Sequence, residues 1–237
     1  MLAPQGRVVM VTGANRGIGL AIAQCLHAKG YNLSLGARDR AALDKAVADI
    51  ADDRMMTHAH DAVDAANNAA WVAATVARFG RIDGLVNNAG MGGKVNIEDG
   101  DEDAFDVLWA VNTKGPMRMI RLALPHLRAS GAGRIVNVAS LSGKRVINDG
   151  TGYAMSKFAL MAVGQATRRA AWDDGVRVTA LCPGFVATDM TKENTDPPPE
   201  GMIQPGDLAE LAAVALALPN TAAVAEILVN CRYESML

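Results

Sequence analysis

Two alternating periods constrain this chain more than any other feature. Short runs rich in Val, Ile and Leu, each the length of a strand, give way to longer stretches with helical apolar spacing. The strand-like runs are Arg7–Thr12, Asn32–Gly36, Met55–His60, Ile82–Asn87, Arg134–Ala139, Val176–Leu181 and Ala225–Val229. Helical patterns cover Gly17–Lys29, a segment from an Asp39 cap through Ile50, Asp64–Phe79, Glu102–Val111, Thr113–Ala129, Tyr153–Trp172 and Asp207–Leu218. Gly30 and Gly80 stand where helix-ending glycines belong. Strands that alternate with helices are joined by crossovers, and crossovers make strands parallel. The predicted fold is therefore α/β: a doubly wound parallel sheet of about seven strands, with right-handed crossovers placing helices on both faces.

At 237 residues the chain supplies one sizeable core, and residues 1–237 are expected to form a single domain. The one irregular stretch is Thr188–Pro205, where Pro197, Pro198 and Pro199 deny helix and central strand. A surface loop of that length at 188–205 fits a substrate lid. A net charge of -2 gives no electrostatic reason to expect nucleic acid or an anionic membrane as partner. No run approaches the roughly 18–20 apolar residues of a membrane span, and the first residues lack a signal-peptide pattern. Cys25, Cys182 and Cys231 form no CxxC pair and read as buried free thiols in a reducing, cytoplasmic setting. His58 and His60 alternate along a strand with no third ligand following, so no metal is expected.

The first strand runs straight into Thr12-Gly13-Ala14-Asn15-Arg16-Gly17-Ile18-Gly19. Gly13 permits the sharp turn, Gly17 lets backbone approach a pyrophosphate, and Gly19 lets the helix pack tightly. The helix N-terminus then presents free N–H groups and a positive dipole end to phosphates. The spacing is GxxxGxG, and the lesser alternative is a structural turn without ligand. At the end of the second strand, Ala37 stands where a carboxylate would bind ribose hydroxyls, and Arg38 follows. Arg16 and Arg38 together suit a 2′-phosphate, so NADP (NADPH) is favoured over NAD. Asp39, one residue later, is the argument for NAD.

Tyr153 and Lys157 lie at i and i+4 of a predicted helix and share a face. Bringing a tyrosine from about 10 to about 7 takes roughly 4 kcal/mol of differential stabilisation. A neighbouring ammonium works in that direction. The pair alone is common; its context is Ser140, at the carboxyl end of the fifth strand, where open sheets bind ligands. Asn112, in a helical region, is placed to anchor a water linked to Lys157.

With these motifs in order, the sequence resembles the short-chain dehydrogenase/reductase family over nearly its whole length. The motifs are TGxxxGIG at Thr12–Gly19, Asp61, Asn87-Asn88-Ala89-Gly90, Asn112, Ser140, Tyr153, Lys157 and Pro183-Gly184. The resemblance implies a Tyr153 acid/base assisted by Asn112, Ser140 and Lys157. It implies dinucleotide contacts from Gly13, Asn15, Arg16, Gly17, Ile18, Gly19, Arg38, Asp61, Ala62, Asn88, Ala89, Gly90, Tyr153, Lys157, Pro183, Gly184, Val186 and Thr188. Asp61 would meet the adenine, Asn88 would line the channel, Thr188 would meet the carboxamide, and Asn87 would be structural. The expected reaction moves hydride between NADP(H) and a small carbonyl or alcohol, in a homo-oligomer, dimer or tetramer.

The chain departs from the family after its last strand. Many members carry a Gly-Gly segment there; this one reads Leu228-Val229-Asn230-Cys231-Arg232-Tyr233-Glu234-Ser235-Met236-Leu237. The ending is more similar to members that act on small hydroxy acids or serine-like substrates, and a frayed terminus is the bland alternative. Lys94, Lys144 and Arg145 on the pocket rims are candidates to hold an anionic group, against the reading that they are simply solvated. Met190, Met202 and Ile203 are the main apolar residues of the lid, which fits a modest substrate. Two other functions fit the same fold: a catalytically silent nucleotide sensor or scaffold, and an epimerase or dehydratase.

Overall fold

Strand β1 (Val8–Thr12) is buried at all five positions, as a central strand covered on both faces must be. In the computed structural model, which describes residues 1–93, 95–98 and 101–234, it pairs with β2 (Asn32–Ala37) on one side and β4 (Gly84–Asn87) on the other. The sheet continues through β3 (Met55–Ala59), β5 (Arg134–Val138), β6 (Arg177–Pro183) and β7 (Glu226–Val229). All pairings are parallel, in the order β3-β2-β1-β4-β5-β6-β7. The predicted doubly wound sheet is what forms.

Alternation along β1 divides the core. Val9 and Val11 face α1 (Gly17–Ala28) and α7 (Pro205–Ala217), packing with Ile22, Leu26, Leu208 and Leu216. Met10 faces α3 (Ala65–Phe79) and α5 (Gly115–Ala129), with Trp71, Met119, Ile120 and Leu127. A one-residue slip of β1 would exchange the two sets, each buried side chain being worth about 1.5–3 kcal/mol.

Helix boundaries differ from expectation where backbone chemistry overrides apolar spacing. The segment from Asp39 to Ile50 is α2 (Arg40–Ala46), capped by Asp39 as predicted, followed by a separate 3-10 turn, Ala48–Ile50. Val47 sits between them with φ -109 and ψ 10, outside helical geometry. Helix α7 begins at Pro205, two residues before the predicted start, because Pro at the first position and a Gln204/Asp207 capping box fix its entry. Between α4 (Glu102–Trp109) and α5 the chain does not break; it widens into a π turn, Ala110–Lys114. Helix α6 (Thr151–Ala171) carries Tyr153 and Lys157 in its first two turns.

All three cysteines are free, but only Cys182 is buried; Cys25 and Cys231 are half-buried on the outer side of their packing layers. The C-terminal segment is docked through Glu234. Arg145 Nε donates to Glu234 Oε2 at 2.7 Å, and Arg232 pairs with Asp196 at 3.3 Å beside the Phe185 ring. No helix among the described residues is long and apolar enough to cross a membrane.

Candidate active site

From β1 the chain crosses through α1 to β2 on one side, whereas β4 continues toward β5 on the other. The connections that leave the carboxyl ends of β1 and β4 therefore diverge, and a crevice at such a point is where open sheets bind ligands. Thr12 closes its floor: Oγ1 accepts from the N–H of Asn88 at 2.9 Å and of Ala89 at 2.8 Å. Above it lies a cleft of about 1480 Å³, large enough for a dinucleotide and a second small molecule.

The glycine turn meets the demands read from sequence. Gly13 and Gly17 have φ of 66° and 54°. Arg16 precedes α1 without capping it by its side chain, which leaves the first N–H groups of the helix facing the cleft. These are the donors that fit a pyrophosphate. Gly19 does not line the cleft: a Cβ there would fall 2.2 Å from the Gly13 carbonyl oxygen and 2.4 Å from Asn88 Nδ2. It is glycine so that the turn can close on Asn88, whose Nδ2 donates to the carbonyls of Thr12 and Gly13, each at 3.0 Å. Asn88 thus braces the turn as well as lining the cleft. Asn87 Nδ2 donates to Asn137 Oδ1 at 2.9 Å, buried between strands.

Gly13, Asn15, Arg16, Gly17, Ile18, Arg38, Asp61, Ala62, Asn88, Ala89, Gly90, Pro183, Gly184, Val186 and Thr188 all line this one cleft, with Ser140, Tyr153 and Lys157. Asp39 also reaches it, but its carboxylate accepts from the Ala42 N–H at 2.9 Å as the α2 cap. His60 lies at the Arg38–Asp61 end, buried against Trp71 with ring centroids 4.6 Å apart; burial pulls its pKa to about 4. Asp189, Met190 and Lys192 of the predicted lid line the cleft, as does Met91. Val107 lines it too and was not singled out from sequence, because the packing of α4 that brings it there is not encoded in local spacing.

At the opposite end, Ser140 stands at the end of β5 and its Oγ accepts from the Ser142 N–H at 3.1 Å. Tyr153 and Ser140 line the same cleft, close enough for the serine to favour the ionised phenol. Lys157 Nζ donates to the Val138 carbonyl at 3.0 Å and lies 5.6 Å from the centre of the Tyr153 ring. Burial moves both ionisable groups toward their neutral forms. Lys157 falls to about 8, partly offset by the nearby Cys182 thiol. Burial raises Tyr153 above its ordinary value, and neighbouring Ser140 pulls against that rise.

Asn112 sits in the π turn and does not line the cleft. Its amide grips the Met91 backbone, donating to the carbonyl and accepting from the N–H at 2.9 Å each. It also donates to Ser156 Oγ at 3.1 Å. A Cβ on Gly90 would lie 3.3 Å from Asn112 Oδ1 and 3.6 Å from Lys157 Nζ, so the Asn112 amide and the lysine head group both border Gly90.

The anion anchors change most. Lys144 pairs with Glu226 at 2.7 Å, and Arg145, buried, pairs with Glu234. Both are structural ion pairs rather than solvated or ligand-binding cations, and neither lines the cleft. Lys94 lies outside the described residues. In the lid, Met202 and Ile203 are buried as anchors, Ile203 bridging to Val186, and only Met190 is exposed. Among the described residues no three His, Cys, Asp or Glu side chains group as metal ligands.

Residues 7–198 match the short chain dehydrogenase family. The chain belongs to that family. This short-chain dehydrogenase is 45% identical over 234 residues to an agropine synthesis reductase of Rhizobium rhizogenes, which covers 98% of this chain and 54% of the relative. The chain thus spans about half the length of that relative. An alcohol dehydrogenase from the archaeon Thermococcus sibiricus, solved with 5-hydroxy-NADP, superposes with a TM-score of 0.87 at 31% identity, covering 96% of this chain and 97% of that one. A 3-ketoacyl-(acyl-carrier-protein) reductase from Brucella melitensis, solved with NADH, gives 0.88 at 29% identity over 96% and 98%. The chain thus carries the nicotinamide-binding fold of an oxidoreductase family.

Proposed function

We propose that the chain, acting as one dinucleotide-binding unit, interconverts a small carbonyl and its alcohol with NADP(H), using Tyr153 as acid/base. The observation that carries this reading is that Ser140, Tyr153 and Lys157, its ammonium 5.6 Å from the tyrosine ring centre, line the same cleft as the glycine turn. The bound nicotinamide supplies or accepts the hydride. Tyr153 gives its hydroxyl proton to the carbonyl oxygen in the reductive direction and takes it back in the oxidative one. Ser140 Oγ holds the same oxygen from the other side, so charge that develops there meets fixed donors. Lys157 contributes positive charge beside the phenol and a donor for the cofactor ribose. Asn112 acts by fixing the Met91 segment and the first turns of α6.

Arg16 and Arg38 support NADP over NAD, since both line the cleft where no free carboxylate replaces Ala37. The two solved relatives named above carry NADP-type and NAD-type cofactors respectively, so the preference rests on this chain's own arginines. The reductase name of the 45%-identical relative supports the reductive direction. The substrate end, walled by Met91, Val107, Met190 and Met202, favours a modest, mostly apolar carbonyl compound. With Lys144 and Arg145 engaged elsewhere, the small-hydroxy-acid reading loses two of its three anchors.

A panel of ketones, keto acids and diketones assayed with both cofactors tests this. The expected outcome is turnover with kcat/KM higher for NADPH than for NADH; a ratio favouring NADH refutes the arginine assignment.

The pH dependence has a definite sign. Lys157 is charged below about 8 and neutral above it, and Tyr153 stays protonated. Reduction uses the charged lysine and the protonated tyrosine. Its kcat/KM is therefore expected to be level on the acid side and to fall as pH rises through about 8. A rate that climbs across that interval contradicts the assignment.

A further inference from the structure

The mouth of the cleft carries an ion pair whose halves come from opposite walls. Arg16 Nη1 meets Asp189 Oδ2 at 2.9 Å. Arg16 belongs to the glycine turn and Asp189 to the loop that follows Thr188. That loop lies directly on the turn: a Cβ on Gly17 would come within 3.3 Å of Thr188 Cγ2.

The carboxylate is held there. Thr191 Oγ1 donates to the carbonyls of Val186 and Thr188, the latter at 3.1 Å, and the Ala187 N–H donates to the Ile203 carbonyl at 3.0 Å. These bonds close the 186–191 turn on itself and tie it to the Ile203 segment, and Asp189 pairs with Arg16 from it. Arg16, Gly17, Thr188 and Asp189 all line the same cleft. Arg38, the other basic group proposed for the 2′-phosphate, has no hydrogen bond or ion pair among the described residues. Arg16 alone is engaged in advance.

A phosphate that pairs with Arg16 must either displace Asp189 or share the guanidinium with it. Sharing puts two anions side by side, and displacement gives up the loop contact. A dinucleotide with a free 2′-hydroxyl makes neither demand. We propose that Asp189 is a specificity-determining residue for the dinucleotide: by holding Arg16 it reduces the advantage of NADP over NAD. This rests on the proposed assignment of Arg16 to the 2′-phosphate. Both side chains are well exposed, at 68% and 65%, so the effect is a few-fold and not orders of magnitude.

The test is fluorescence titration of NADPH and NADH against the full chain, without substrate, read as the ratio of the NADH to the NADPH Kd. In Asp189→Asn that ratio is expected to rise about threefold to fivefold. In Arg16→Ala it is expected to fall, and Arg16→Ala/Asp189→Asn is expected to match Arg16→Ala. A ratio unchanged in Asp189→Asn, with the fall in Arg16→Ala intact, overturns the competition and leaves the cofactor reading standing. A gain that persists in the double variant also overturns it, since Asp189 would then act on the phosphate without Arg16. A ratio unchanged in Arg16→Ala overturns both.

Discussion

Replacing Tyr153 with Phe is expected to lower kcat and kcat/KM together by about 10²–10⁴-fold. The ring stays, so its packing beside Lys157 and the width of the cleft are preserved. Only the hydroxyl, in the cleft shared with Ser140, is lost. NADPH affinity, measured by fluorescence, is expected to hold within about twofold, because an interaction made mainly in the transition state leaves ground-state binding alone. Unchanged turnover would remove Tyr153 from the mechanism. Equal loss of turnover and of NADPH binding would mean that the substitution had damaged the cleft.

Gly19→Ala is the second large effect. The added methyl would meet the Gly13 carbonyl oxygen at 2.2 Å and Asn88 Nδ2 at 2.4 Å. One is backbone and the other is already bonded twice, so neither yields cheaply. Overpacking of this kind costs about 1–3 kcal/mol, and loss of the Asn88 bonds adds about 1 kcal/mol each. For a chain of this size that corresponds to a Tm lower by roughly 6–20 °C. NADPH affinity should fall more than tenfold, about 1.4 kcal/mol or more, because the displaced turn carries the N–H donors. A melt and a titration matching wild type would show that the turn has room to shift.

What was legible from sequence was what is local. Tyr153 and Lys157 share a helix face by spacing alone, and the strands announce themselves by runs of β-branched residues. Ser140 was legible through one general rule, that ligands sit at the carboxyl ends of parallel strands. The π turn was not: Ala110–Lys114 has ordinary helical composition, and its extra width serves Asn112's grip on Met91, set by tertiary contact. The ion pairs were the least legible. Arg145 and Glu234 are 89 positions apart, and Arg16 and Asp189 are 173 apart. No periodicity connects residues so distant, so a rim cation could not be told from a structural one until its carboxylate was in view. Lys144 and Arg145 were misjudged for that reason. The burial that raises Tyr153 was not legible either: charge proximity can be read from i,i+4 spacing, but depth of burial cannot.

The central claim is that this cleft transfers hydride, and a silent nucleotide sensor on the same fold would bind NADPH equally well. NADPH carrying deuterium at its transferable position separates the two. Incubated with the ketone and keto-acid panel, the wild-type chain should yield an alcohol with deuterium on the carbinol carbon, and Tyr153→Phe should yield little or none in the same time. NADPH that binds but gives no labelled alcohol with any member of the panel would contradict the account.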